Sequence, residues 1–175
     1  MMMSKVKSLK ENRTLSLFGI EKSNADQAQT VTLTDSMLRL AAQSKYAPTD
    51  AHLSIFLTQV FAGSQSGVEQ FRLLILTDHS GMMNGFLQIR FFLDCADLDF
   101  IIVDSALRGR GHALEMMDFI IAELRLCHVN RILLEVGVDN DSAIRFYTRI
   151  GFKEISRRKG YYRSGEDAFV MELNL

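Results

Sequence analysis

The chain is poor in net charge: 20 lysines and arginines stand against 21 aspartates and glutamates. Without a basic field, sequence-independent binding to nucleic acid is excluded as its main role, and a small-molecule or peptide ligand is favoured. Cysteine is scarce as well. Cys95 and Cys127 are the only two, and neither belongs to a close-spaced Cys/His set, which argues against a zinc module and fits a reducing, cytoplasmic compartment. No apolar run approaches the ~20 residues that a membrane-spanning helix needs. The basic start, Met-Met-Met-Ser-Lys-Val-Lys, lacks the apolar segment and cleavage site of a secretory signal.

What is present is 47% apolar residues in 175, enough for one domain with a substantial core and too little chain for two. Residues 1–13 read as a flexible polar arm, and 14–175 as a single domain. Alternation predicts a strand over 14–20, and helical spacing a helix over 24–43. The single proline opens Pro48-Thr49-Asp50, a start signal for a second helix to about residue 62, followed by a glycine and serine loop over 63–67.

Strands are expected over 71–77 and 86–93, joined by the polar, glycine-bearing stretch 78–85, and again over the apolar run 100–103. The order then becomes glycine-rich turn, long helix, strand at 131–138, helix ending at Ile150, and two further strands. This predicts an α/β fold with a sheet of mixed direction flanked by helices. Leu114, Met117, Ile121 and Leu124 form the stripe by which the long helix packs on the sheet, and Gly151 stops the following helix.

Arg108-Gly109-Arg110-Gly111-His112-Ala113 joins a strand to a helix. Glycines there let the backbone turn its amides outward at the positive end of a helix dipole, which suits a pyrophosphate. They equally suit a tight turn. The hexapeptide lacks the ending of a P-loop and the third glycine of a dinucleotide fingerprint, where Leu114 stands. Glu135 lies inside the apolar strand 131–138, where alternation sets it beside Leu133 and Gly137; it is either a proton acceptor or the partner of a basic neighbour. Tyr147 shares a helix face with Ala143 and Ile150, as a core aromatic or as a proton donor. Asn140 opens its helix, and a cap there is an ordinary role.

Arg108-x-x-Gly111-x-Ala113 resembles the coenzyme A signature of the GNAT superfamily of acetyltransferases, Gln/Arg-x-x-Gly-x-Gly/Ala. Leu134-Glu135-Val136, then Asn140, Ala143, Tyr147 and Gly151-Phe152, then Tyr161-Tyr162 with Gly165-Glu166-Asp167-Ala168, are similar to the ribosomal-protein alanine acetyltransferases of RimI type. The resemblance covers residues 85–175 and implies a GNAT fold, with a mostly antiparallel central sheet. It implies acetyl-CoA as cosubstrate and no metal. Backbone groups of Ile101, Ile102 and Val103 would hold the pantetheine arm; Arg108, Gly109, Arg110, Gly111, His112, Ala113 and Leu114 would surround the pyrophosphate; and Asn140 would touch the cofactor. Glu135 would be the base, Tyr147 the acid, and Tyr161 and Tyr162 would meet the acceptor. The implied activity is direct acetyl transfer to a primary amine, foremost the α-amino group of a protein such as a ribosomal protein. A lysine side chain or small amine as acceptor, and a non-catalytic acyl-CoA-binding domain, remain alternatives. Arg157-Arg158-Lys159-Gly160 carries one residue more before the paired tyrosines than the RimI-type pattern.

Overall fold

In the third strand, Phe71, Leu73 and Ile75 bury into one apolar cluster while Leu74 and Leu76 bury into another, so this strand is covered on both faces. The computed structural model describes residues 5–9, 13–19, 27–46, 53 and 70–175. Its elements are β1 (Lys5–Leu9), β2 (Arg13–Gly19), α1 (Gln27–Ala41), β3 (Gln70–Thr77), β4 (Met83–Phe92), β5 (Cys95–Val103), a 3₁₀ turn (Ser105–Leu107), α2 (His112–Leu126), β6 (Arg131–Gly137), α3 (Asp141–Ile150), β7 (Lys153–Arg158) and β8 (Ala168–Asn174). They build one eight-stranded sheet in the order β1-β2-β3-β4-β5-β6-β8-β7, with antiparallel neighbours throughout except for the parallel pair β5 and β6. The mixed α/β fold expected from the sequence is the one observed.

Met116, Met117, Ile120 and Leu124 of α2, and Tyr147 of α3, cover one face of the sheet. Met37, Leu40 and Ala41 of α1, with Leu53, cover part of the other. Among the described residues no helix is long and apolar enough to cross a membrane.

Three expectations change, and a fourth lies largely outside the described residues. Within the supposed arm 1–13, Lys5–Leu9 pairs antiparallel with β2, and its lysines suit a charged edge strand, which a search for apolar alternation passes over. Most of the second predicted helix and the loop 63–67 lie outside the described residues; Leu53 is helical and fully buried. The strand predicted at 100–103 begins at Cys95, because Asp97 and Asp99 masked its first half. On α2 the buried stripe runs through Met116 and Ile120 rather than Leu114, which is exposed.

Two irregularities open the middle of this sheet. Strands β5 and β6 pair only through Cys95↔Arg131, Ala96↔Ile132 and Asp97↔Leu133, although β5 continues to Val103 and β6 to Gly137. Next to that point the β4 register passes from Ile89↔Leu98 to Gln88↔Phe100, which makes Asp99 the extra residue of a β-bulge. Among the described residues, no strand pairs with the edge of β5 that faces β6 beyond Asp97.

Candidate active site

The open edge of β5 leads straight into the glycine turn. Asp104 starts it: its carboxylate accepts from the Ala106 amide at 3.0 Å and pairs with Arg39 at 3.2 Å. These contacts, the amide first, hold its pKa below the ordinary carboxylate value. Gln43 accepts from the Ser105 amide at 2.8 Å, so the end of α1 also grips the turn. Arg108 folds back and donates Nε to the Val103 carbonyl at 3.1 Å.

Gly109 and Gly111 have φ of 77° and 90°, values that only glycine adopts readily. A Cβ at either would meet nothing within 4 Å, so the conformation demands glycine and the space above is open. Gly111 is the N-cap of α2 and offers no side chain to it, leaving the first-turn amides and the helix dipole directed at that space. His112 is buried; its Nδ1 lies 3.3 Å from Glu115, and its Nε2 has no partner among the described residues. Uncapped amides, an orphaned imidazole nitrogen and an unpaired strand edge fit a long ligand carrying phosphates and amides.

A cleft of about 570 Å³ joins these parts. It is lined by Ile101, Ile102 and Val103, by every residue of 108–114, and by Asn140 and Tyr147. Asn140 also caps α3, its Oδ1 accepting from the Ala143 amide at 3.3 Å. Tyr147 packs edge-on against Phe152, with centroids 5.6 Å apart, and burial raises its hydroxyl pKa well above the usual phenol value, with Tyr162 adding to the rise.

Glu135 lies on the opposite face of the sheet from the α2 core, since its neighbours Leu134 and Val136 point into that core. It does not line the cleft. Arg158 Nη1 approaches its Oε1 to 3.1 Å, so Glu135 has the basic neighbour that the sequence left open. Arg157 likewise pairs with Asp167 at 2.8 Å. Tyr161 and Tyr162 stand on the connection between β7 and β8 with ring centroids 5.1 Å apart. Burial first, then Tyr161, Tyr46 and Glu135, push the Tyr162 hydroxyl up to about 12 against the pull of the Gly137 backbone.

Two groups here carry no signature in the sequence motifs. Tyr46, beyond the end of α1, packs against Tyr162 at 5.1 Å and over Gly137, where a Cβ would stand 2.6 Å from its Cζ. Lys45 reinforces that contact through an ion pair with Glu166 at 2.8 Å, which raises the lysine pKa. Asp99 is the second. It accepts from Gln88 at 3.2 Å, and burial raises its carboxyl to about 6. Tyr46 has no local pattern to reveal it, and Asp99 stands outside the strand expected over 100–103.

Residues 39–152 match the Acetyltransferase (GNAT) family. The [ribosomal protein bS18]-alanine N-acetyltransferase of Escherichia coli (strain K12) is 32% identical over 126 residues, covering 70% of this chain and 83% of that protein. N-alpha-acetyltransferase 30 of Saccharomyces cerevisiae is 33% identical over 75 residues, 43% of each, so the match spans less than half of that relative. The solved ribosomal-protein-S18-alanine N-acetyltransferase of Escherichia coli has a TM-score of 0.70 at 24% identity, covering 91% of this chain and 93% of its own. Ard1 from Thermoplasma volcanium has 0.72 at 21%, covering 92% and 97%. These two likenesses concern the fold alone. With the family match over 39–152, and with the uncapped glycine turn beside an opened strand pair, the chain belongs to the GNAT family of acetyltransferases, and within it to the RimI-type group.

Proposed function

We propose that the protein transfers acetyl from acetyl-CoA directly to the α-amino group of a protein N-terminus, with ribosomal proteins as the leading substrate class. The GNAT family uses acetyl-CoA, and the relatives named above supply the acceptor class. Residues 101–103 on the open edge of β5 would hold the pantetheine amides, and residues 108–114 the pyrophosphate, with Asn140 beside them. Glu135 would act as base toward the acceptor, directly or through water. Tyr147, whose hydroxyl burial keeps protonated, would donate to the departing sulfur. Tyr161 and Tyr162 would line the path of the acceptor.

The observation that carries the choice of an α-amine is the Tyr46–Tyr162 contact together with the Lys45–Glu166 pair. Both tie the end of α1 to the β7–β8 connection above Gly137, and a surface bridged there would favour a chain end over a side chain projecting from mid-chain. The test compares two peptides incubated with acetyl-CoA and read by mass spectrometry. One has a free N-terminus, and the other is blocked there and carries an internal lysine. Faster acetylation of the blocked peptide would overturn the proposal.

A further inference from the structure

Asp97 and Asp99 of β5 share Arg90, and Glu135 of β6 is near enough for its charge to raise the Asp99 carboxyl. Two arginines answer them. Arg90 sets Nε 3.5 Å from Asp97 and Nη2 3.5 Å from Asp99, while Arg158 lies 3.1 Å from Glu135. With all five ionised, these side chains carry three negative charges against two positive ones.

The arrangement has a backbone cause. Asp99 is the bulged residue between Leu98, whose side chain enters the α2 core, and Phe100, which packs in the cluster under α1. Bulges re-aim side chains, and this one turns Asp99 toward Gln88 and Arg90. Gln88 supplies a second, independent feature. It is 5% exposed, its Nε2 donates to Asp99 at 3.2 Å, and its Oε1 is buried with no partner among the described residues. A buried amide oxygen without a donor is uncommon. Beside a carboxylate, it is complementary to a hydrogen-bond donor that carries positive charge.

Resting on the reading of this face as the acceptor side, we propose that Asp99 and Glu135 form a carboxylate pair that receives the ammonium group of the acceptor, and that Asp99 takes its proton. In that step one N–H bond of the ammonium breaks and an O–H bond forms on Asp99. The electron pair stays on nitrogen, which then attacks the thioester carbonyl; the adduct nitrogen sheds its second proton to Glu135, the base named above, as the C–S bond breaks and Tyr147 protonates the departing sulfur. Asp99 returns the proton to solvent before the next turnover. Its surroundings favour proton uptake, because burial pushes its carboxyl up to about 6, against Arg90 and the Gln88 hydrogen bond, and Asp97 and Glu135 add to the rise. Tyr161 faces it from the β7–β8 connection. A carboxyl in that range is better matched to proton transfer near neutrality than one at the ordinary ~3.9.

Asp99→Asn removes the charge while preserving size and an acceptor for Gln88. With a peptide bearing a free N-terminal alanine, KM for the peptide should rise about tenfold, the scale of one lost charge-assisted hydrogen bond, with KM for acetyl-CoA unchanged. The limb of kcat/KM near pH 6 should disappear, and Asp99→Glu should recover part of the loss. Wild-type constants and profile in Asp99→Asn overturn the proposal, while the role of Glu135 is read separately from loss of turnover in Glu135→Gln. A wild-type protein that leaves this peptide unmodified sinks the acceptor assignment instead. The pair is then decided by ¹³C titration of the Asp99 carboxyl in the wild type and in Glu135→Gln. A fall of its midpoint on removal of the Glu135 charge supports the pair, and an unmoved midpoint overturns it.

Discussion

Arg158 of β7 reaches across β8 to set its guanidinium 3.1 Å from the Glu135 carboxylate of β6. The two side chains are 57% and 27% exposed, and an ion pair so open to water contributes only ~0.2–1 kcal/mol. Arg158→Ala should therefore shift Tm by no more than about 4 °C. Its effect should fall on the acceptor. Removing a cation that competes for Glu135 should lower the acceptor KM by about threefold in steady-state kinetics. An unchanged KM would make the pair a bystander.

Gly111→Ala tests the turn. Its φ of 90° costs a non-glycine residue about 1–2 kcal/mol, enough to lower Tm of the free protein by several degrees. In the wild type, acetyl-CoA at a hundredfold excess over its Kd should stabilise by about 2.7 kcal/mol, seen as a thermal shift. In the variant that shift should shrink sharply. A full shift would remove the glycine turn from the binding site.

Tyr147→Phe should leave the acetyl-CoA thermal shift intact and lower kcat by about a hundredfold or more, the usual scale for a lost general acid. A second readout comes from proton linkage. Burial raises the Tyr147 hydroxyl and pushes Tyr162 up to about 12, whereas both ionise near ~10 in the unfolded chain. Raised folded-state values mean that the unfolded chain loses its phenol protons first, so stability is steady below pH ~10 and falls as pH rises beyond it. Urea unfolding from about pH 9 to 11 should show falling stability, and Tyr147→Phe should flatten the fall. An unaltered slope would mean the Tyr147 hydroxyl is not held as described.

Gly137→Ala puts a methyl group where the Tyr46 ring lies, 2.6 Å from its Cζ. The ring must give way, loosening its contact with Tyr162. The acceptor KM should rise by about tenfold, on the scale of ~1.4 kcal/mol, while acetyl-CoA binding is preserved. Equal loss of both would indicate a general disturbance of β6.

What could be read in the sequence was local. The glycine turn, the Asn140 cap and the Gly151 stop each depend on a few consecutive residues, and the structure carries all three. Strand alternation set Glu135 on one face with Leu133 and Gly137 for the same reason. What escaped was decided at long range or by a broken rule. Tyr46 acquires its place only from Gly137 and Tyr162, far along the chain. Asp99 owes its direction to a bulge, which breaks the period-two pattern on which strand reading depends.

The three residue pairs between β5 and β6 also divide the sheet mechanically. On one side lies an antiparallel meander from β1 to β5, and on the other the trio β6, β8 and β7. Their seam is stitched by strand pairing at one end only. Amide hydrogens along 101–103 that point into the seam should exchange with solvent faster than those bonded to β4. With the pantetheine arm along 101–103 as proposed, the sheet's softness would be confined to the line on which a long, thin ligand would thread, and its two halves need not loosen.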